Sequence, residues 1–335
     1  MPVNPFKISS GQVTGRGSPA RRATTEGTID PDRIHPELRR AARRVRVPPI
    51  QRAAVRWAAQ TAVRLMPTVR TPGVSIEQAV RGTPGIRVHR PARQRSDAAV
   101  LWFHGGGHVI GRASQDDRLC GATAAELGTV VISVDYRLAP RHPYPRGLDD
   151  GRTAWTWLQK HAPRLGVDPD RVIVGGASAG GNLAAGLVQL LHDEGGVRPV
   201  AQWLFCPMLD DRTAARRDLD DLGHLVWNNR LNHYAWAAYL GYEPGGPDVP
   251  EHASPARRED LSGLPPAWIG VGDVDLFHDE CLAYARRLRD AGVPAVVHTV
   301  AGAPHGFEGW APNAAVSREH IQAAQSWLAL FTNGD

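Results

Sequence analysis

The stretch Arg171-Val-Ile-Val-Gly-Gly-Ala-Ser-Ala-Gly-Gly-Asn-Leu-Ala184 decides the fold. An apolar run suited to a buried strand enters Gly176-Ala177-Ser178-Ala179-Gly180 and leaves through small residues that continue as a helix. G-x-S-x-G between a strand and a helix is a sharp turn that holds a serine at its apex. Glycine two positions either side lets the flanking backbones approach each other closely. The turn also aims a helix N-terminus at whatever the serine meets, where negative charge is favoured. In a chain with 35 glycines the pentapeptide arises easily by chance, so a turn with an idle serine is the plain alternative. The surrounding sequence decides between the two.

Working outward, short apolar runs at 98–103, 130–134, 172–174, 201–205, 267–271 and 295–300 alternate with helix-length amphipathic segments. Those segments are 117–127, 148–161, 182–192 and 280–291, with a closing helix at 314–330. Continuous β-rich runs separated by helices predict a mostly parallel sheet covered on both faces. One interval breaks the rhythm. Residues 211–254, with Trp227, Tyr234, Trp236 and Tyr239, exceed what a crossover needs and read as a lid over one edge of the sheet. At the front of the chain, Pro36 opens a short helix at 37–45, which Pro48 and Pro49 prevent from continuing. Residues 50–66 then carry Ile50, Ala54, Trp57, Ala58, Ala62 and Leu65 at helical spacing, a stripe expected to pack on something else. The lid shows no long exposed apolar helix of the kind that anchors an enzyme at a lipid surface.

His104-Gly105-Gly106-Gly107 directly follows the first of these runs. Three glycines at a strand end are costly in conformational entropy and make sense where backbone N–H groups must face a ligand. A tetrahedral oxyanion needs two or three such donors, each contributing roughly 3 kcal/mol to its stabilisation. Gly106 and Gly107, with Ala179 just after the serine, are the natural set. A phosphate loop is the rival, but neither G-x-x-x-x-G-K-[ST] nor G-x-G-x-x-G is present. His104 reads as a brace for the loop.

A base for the serine must come from a late histidine, since this strand–turn–helix arrangement orders its reacting residues Ser, acid, His. Among 14 histidines, His305 stands out because it follows the last strand within a Gly/Pro-containing loop. The acid should follow the preceding strand, where Asp273, Asp275, Asp279 and Glu280 are all available and spacing does not choose.

Composition narrows the remaining classes. The net charge is +5, but residues 1–60 alone carry eleven Arg and Lys7 against four acids, a balance of +8, which leaves −3 for the rest. A basic leader ahead of a slightly acidic body is not a nucleic-acid-binding domain. No apolar run approaches ~18 residues, so no membrane span is expected. The first 30 residues lack the apolar core of a secretory signal, and the chain is read as cytoplasmic. Cys120, Cys206 and Cys281 are scattered without metal-ligand spacing and read as buried thiols, with neither a disulfide nor a metal site.

Together these motifs resemble the hormone-sensitive-lipase-like esterases, the bacterial family IV group of α/β hydrolases. The resemblance covers roughly residues 70–335. It rests on His104-Gly-Gly-Gly, Asp135-Tyr-Arg-Leu-Ala-Pro with His142-Pro-Tyr-Pro, Ser178-Ala-Gly-Gly-Asn, Asp275-Leu-Phe-His-Asp-Glu and His305-Gly-Phe. It implies an α/β-hydrolase fold with a mostly parallel eight-stranded sheet and a helical cap. The chain would then divide into a flexible basic leader (1–30), N-terminal cap helices (31–66), a core (67–210 and 255–335) and a cap insertion (211–254).

The resemblance further implies that Asp275 is the acid, giving a Ser178–Asp275–His305 triad with an oxyanion hole at Gly106, Gly107 and Ala179. His108 and Phe307 become candidates to line the substrate pocket. The activity implied is hydrolysis of short- to medium-chain acyl esters without cofactor or metal. The partner is a small-molecule ester, with no nucleic acid and no stable membrane association, and the sequence is compatible with a homodimer. Deacetylation or amide cleavage of a specific metabolite would use the same triad. A ligand-binding protein like the plant gibberellin receptors, which lack the histidine, is disfavoured by His305. This sequence departs from the group's pattern at Ala177 (usually Asp), Leu276 (usually Pro), Arg141 (usually acidic) and His108 (often aromatic).

Overall fold

A computed structural model describes residues 31–333. Eight strands form one sheet: β1 (Val74–Val80), β2 (Gly85–Pro91), β3 (Ala99–Phe103), β4 (Val130–Asp135), β5 (Val172–Ala177), β6 (Ala201–Phe205), β7 (Ala267–Gly272) and β8 (Ala295–Val300). Their order is β1-β2-β4-β3-β5-β6-β7-β8, with β1 and β2 antiparallel to their neighbours and the remainder parallel. The helices are α1 (Pro36–Ala42), α2 (Ala53–Leu65), α3 (Asp117–Leu127), α4 (Arg146–Leu165), α5 (Ala179–Glu194), α6 (Asp211–Ala215), α7 (Asn229–Leu240), α8 (His278–Asp290), α9 (Phe307–Trp310) and α10 (Ala315–Thr332). The expected leader at 1–30 lies outside the described residues.

The central strands are buried on both faces, and their side chains alternate between two apolar clusters. On β3, Ala99, Leu101 and Phe103 join the cluster under α4, α5 and α8, while Val100 and Trp102 join the one under α3 and α10. In the second cluster Trp102 meets Trp203 edge-on at 5.2 Å and Phe205 at 5.7 Å. Each such pair adds about 0.5–1.5 kcal/mol beyond the area it buries. Because β4 and β5 lie on opposite sides of β3, the strand order reverses there, and a crevice opens at the carboxyl ends of β3 and β5. The loops after β7 and β8 leave the same edge of the sheet.

The expected alternation from residue 98 onward is present, with element ends either matched or shifted by no more than four residues. Strands β1 and β2 were not legible in the sequence, because β2 buries charge. Arg87 and His89 both bond Asp117 of α3, at 2.6 and 3.1 Å, so residues that look like loop are paired inside the core.

One expectation about the front of the chain is corrected. Helix α2 buries none of its residues, and Ala54, Trp57, Ala58, Ala62 and Leu65 of the expected packing stripe are all exposed. It is held instead by its other face. Gln60 exchanges two bonds with the Gly111 backbone, at 2.9 and 2.8 Å, and Arg56 bonds the Tyr234 hydroxyl at 2.5 Å. An exposed apolar helix is therefore present where none was expected. The 211–254 segment, in turn, is continuous with the main core: Ala214, Trp227, Leu231, Trp236 and Tyr239 belong to the same cluster as Phe103 and Leu183. Among the described residues no helix is long and apolar enough to cross a membrane.

Candidate active site

Ser178 stands between the end of β5 and the start of α5, with φ 55° and ψ −119°. A left-handed backbone at a non-glycine residue costs about 1–3 kcal/mol and persists only where its surroundings enforce it. Here the Ser178 N–H donates to Phe205 O at 2.8 Å, and its carbonyl accepts from Asn182 and Met208, both at 3.1 Å. Close approach does the rest. A Cβ on Gly176 would lie 2.3 Å from Gly180 O, and one on Gly180 would lie 2.1 Å from Phe103 O. Only glycine at both positions lets strand, turn and helix cross.

The Ser178 Oγ lies 2.9 Å from His305 Nε2, and His305 Nδ1 lies 2.8 Å from Asp275 Oδ2. All three side chains are buried. The Asp275 carboxylate is itself oriented, since its Oδ1 accepts from Phe277 N–H at 2.9 Å. The imidazole is wedged between Phe277, edge-on at 5.2 Å, and Trp227 at 6.2 Å. Burial acts to lower the pKa of His305, but the charge and hydrogen bond of Asp275, with a contribution from Glu308, outweigh it and hold the pKa above its ordinary value. Glu308, one turn further along, is pushed up to about 7 by desolvation.

The three acids that spacing left open with Asp275 serve elsewhere. Asp273 Oδ1 accepts from Gly302 N–H at 2.6 Å and ties the β7 loop to the β8 loop. Asp279 is exposed beside His278. Glu280 is buried, and takes bonds from Leu209 N–H and the Thr213 hydroxyl.

The triple-glycine loop faces the serine. Gly107 has φ +59°, and a Cβ there would lie 2.3 Å from the Trp227 ring, so the loop and Trp227 are in contact. Ala179 begins α5, and the first N–H groups of a helix have no acceptor within it. Several residues that the sequence did not single out brace this loop. Tyr136 donates from its hydroxyl to His104 O at 2.7 Å and stacks on the His104 ring at 4.3 Å. Gln115 donates to Gly105 O at 3.2 Å, and Gln60 holds Gly111. Tyr136 stands in the Asp135-Tyr-Arg-Leu-Ala-Pro motif, but nothing in that motif tells of the brace, and Gln115 and Gln60 are lone polar residues outside any motif.

The two pocket candidates are placed otherwise than expected. His108 is 2 % exposed and lies flat on Tyr239 of α7 at 3.9 Å, so it packs the loop onto that helix. Burial drives its pKa down to about 3, and the ring is neutral. Phe307 turns away from the serine because Gly306 (φ +62°) reverses the chain, and it packs among Ile34, Leu38 and Val316. Trp227 is the side chain that covers the site.

All three cysteines are buried and free. Cys206, Asp275 and His305 bring one ligand atom each within 4.8 Å of one another. Both ring nitrogens of His305 are already engaged, however, and burial raises the Cys206 thiol so that it stays protonated. This donor set does not fit a metal.

A strained serine, a histidine and a buried carboxylate in one hydrogen-bonded chain, at the carboxyl edge of an eight-stranded mostly parallel sheet, define the α/β-hydrolase class. Comparisons with known proteins agree. A family model described as the alpha/beta hydrolase fold matches residues 100–309. Esterase LipI of Mycobacterium tuberculosis is 37% identical over 236 residues, 69% of this chain and 72% of LipI. The carboxylesterase NlhH of the same species is 36% identical over 252 residues, 72% of this chain and 77% of NlhH. Among solved structures, a bacterial heroin esterase aligns with a TM-score of 0.81 at 33% identity, covering 90% of this chain and 99% of that one. Esterase LipW of Mycobacterium marinum aligns with a TM-score of 0.79 at 31% identity, covering 91% and 98%. The chain belongs to the α/β-hydrolase family, in its hormone-sensitive-lipase-like group of ester hydrolases.

Proposed function

We propose that the protein is a serine carboxylesterase that cleaves short- to medium-chain acyl esters through an acyl-enzyme intermediate. The observation that carries this reading is the unbroken chain from Ser178 Oγ through His305 to Asp275. Ser178 attacks the ester carbonyl while His305 Nε2 takes its proton and then delivers it to the leaving alcohol. Asp275 holds the imidazole with Nδ1 protonated and stabilises the imidazolium. The N–H groups of Gly106, Gly107 and Ala179 receive the oxyanion. Water then repeats the sequence against the acyl-enzyme and releases the acid. None of these steps uses the side chain at position 177, so Ala177 leaves the chemistry intact.

The segments around α1–α2 and 211–254 act as a cap in this reading. Trp227, lying over both Gly107 and His305, supports a compact acyl site. Each added methylene contributes about 0.8 kcal/mol only while there is room to bury it. Catalytic efficiency on p-nitrophenyl esters should rise over the first few carbons and fall beyond about eight. A maximum at palmitoyl would overturn the compact-site reading.

A further inference from the structure

Among the described residues seven large apolar side chains are exposed; Val197, Tyr242 and Leu330 stand apart, and the other four lie together. Trp57 (72 % exposed), Leu65 (78 %), Met66 (52 %) and Val69 all lie on α2 or the four residues after it. With Ala54, Ala58 and Ala62 they form one continuous stripe, on the side of α2 away from Gln60 and Arg56, which hold the helix down. After Glu37, the charge carried by this stretch of chain is of one sign. Residues 38–73 contain nine arginines and no Asp or Glu. Arg52, Arg64 and Arg70 are exposed beside the apolar residues, and Arg40, Arg43 and Arg44 are exposed on and just after α1.

We propose that α2 docks the protein, peripherally and reversibly, on an anionic lipid surface. A helix with tryptophan and leucine on one face and arginine around it has the composition that lies in the plane of a bilayer interface. The apolar stripe enters the headgroup boundary, the indole of Trp57 sits where one end can be wet and the other dry, and the arginines meet phosphate. A protein partner carrying a plain apolar groove would explain the stripe but not the run of nine arginines uninterrupted by any carboxylate. A helix of 13 residues does not span a membrane, so the association is of the surface kind.

The test uses the full-length chain and sedimentation with vesicles of pure phosphatidylcholine or of phosphatidylcholine mixed with phosphatidylglycerol. We expect binding to the anionic vesicles, at least tenfold weaker on the neutral ones and weakened again by raised salt. The variant Trp57→Ser/Leu65→Ser/Met66→Ser should lose at least tenfold in vesicle binding while its thermal midpoint and hydrolysis of a soluble acetate ester stay at wild-type levels. Absence of binding to phosphatidylglycerol vesicles at low salt overturns the proposal. Undiminished binding of the triple variant overturns it too, and would assign lipid binding to arginines elsewhere. A solution dimer that this variant converts to monomer, with no vesicle binding, would show that a second copy covers the stripe.

Discussion

The turn around Ser178 and the segment 211–254 meet at His305, yet they are built by opposite means. The turn is determined by backbone: a Cβ on Gly176 or Gly180 would lie 2.3 or 2.1 Å from a carbonyl oxygen, and strained dihedrals at Ser178 are held by three main-chain bonds. Its partners are main chain throughout, from the turn itself, the end of β3, and the end of β6 with the loop after it. The segment is determined by side chains, with Trp227 placed against Gly107 and His305 and its Nε1–H donating to Asn232 Oδ1 of α7 at 3.4 Å. The difference teaches where change should be tolerated. Substitutions in the turn should act on the reacting atoms, and substitutions in the segment on what the site admits.

The hardest test of that division is Ser178→Ala. Steady-state kinetics on a short-chain ester should show a loss of about 10⁴–10⁶-fold in kcat with folding retained. A tenth of wild-type kcat surviving would refute the role given to the turn. Next in size, Asp275→Asn should reduce kcat by about 10⁴-fold, because an amide favours the wrong imidazole tautomer. Asp279→Asn should be near neutral, and Asp273→Asn should lower the unfolding midpoint more than kcat, since the Asp273 carboxylate accepts from the Gly302 backbone rather than from His305. If Asp273→Asn proved the more damaging to turnover, the assignment of the acid would be wrong.

Gly107→Val probes the boundary between the two regions, since its side chain would strike Trp227 and disturb the N–H donors at once. A loss in kcat on the order of 10²-fold or more is expected, with the circular dichroism spectrum unchanged. Normal turnover would show that the loop does not receive the oxyanion. The smallest effect concerns pH. His305 must be neutral to accept a proton, and its pKa is held above the ordinary value in part by Glu308. Glu308→Gln removes a charge that favours the imidazolium, so that pKa should fall and the acid limb of kcat/KM should move to lower pH. A shift to higher pH would contradict the sign.

Much of this site is legible in the sequence alone. Ser178, the triple-glycine loop and His305 each sit at the end of a strand whose apolar run is plain, because local backbone demands write themselves into local sequence. The acid was not chosen by spacing. Asp273 and Asp275 are two residues apart in one loop, and only the position of His305 distinguishes the one that reaches it. The resemblance to known esterases, rather than the residues alone, pointed to Asp275.

What only the tertiary structure decided has a common physical origin. The stripe on α2 has the same periodicity whether it faces the core or water, and its bonds to Gly111 and Tyr234 turn it outward. His108 and Phe307 belong to recognisable motifs, but whether an aromatic ring faces a substrate or packs behind it depends on Tyr239 and on the turn at Gly306. Strand β2 hides from hydropathy because Asp117, thirty residues away, neutralises Arg87. The sequence by itself determined the strand–helix order and the chemistry at the strand ends, since those follow from periodicity and close backbone approach. Which face of a helix is covered, which carboxylate meets the imidazole and which tryptophan closes the site follow from contacts between distant segments, and those exist only in the folded chain.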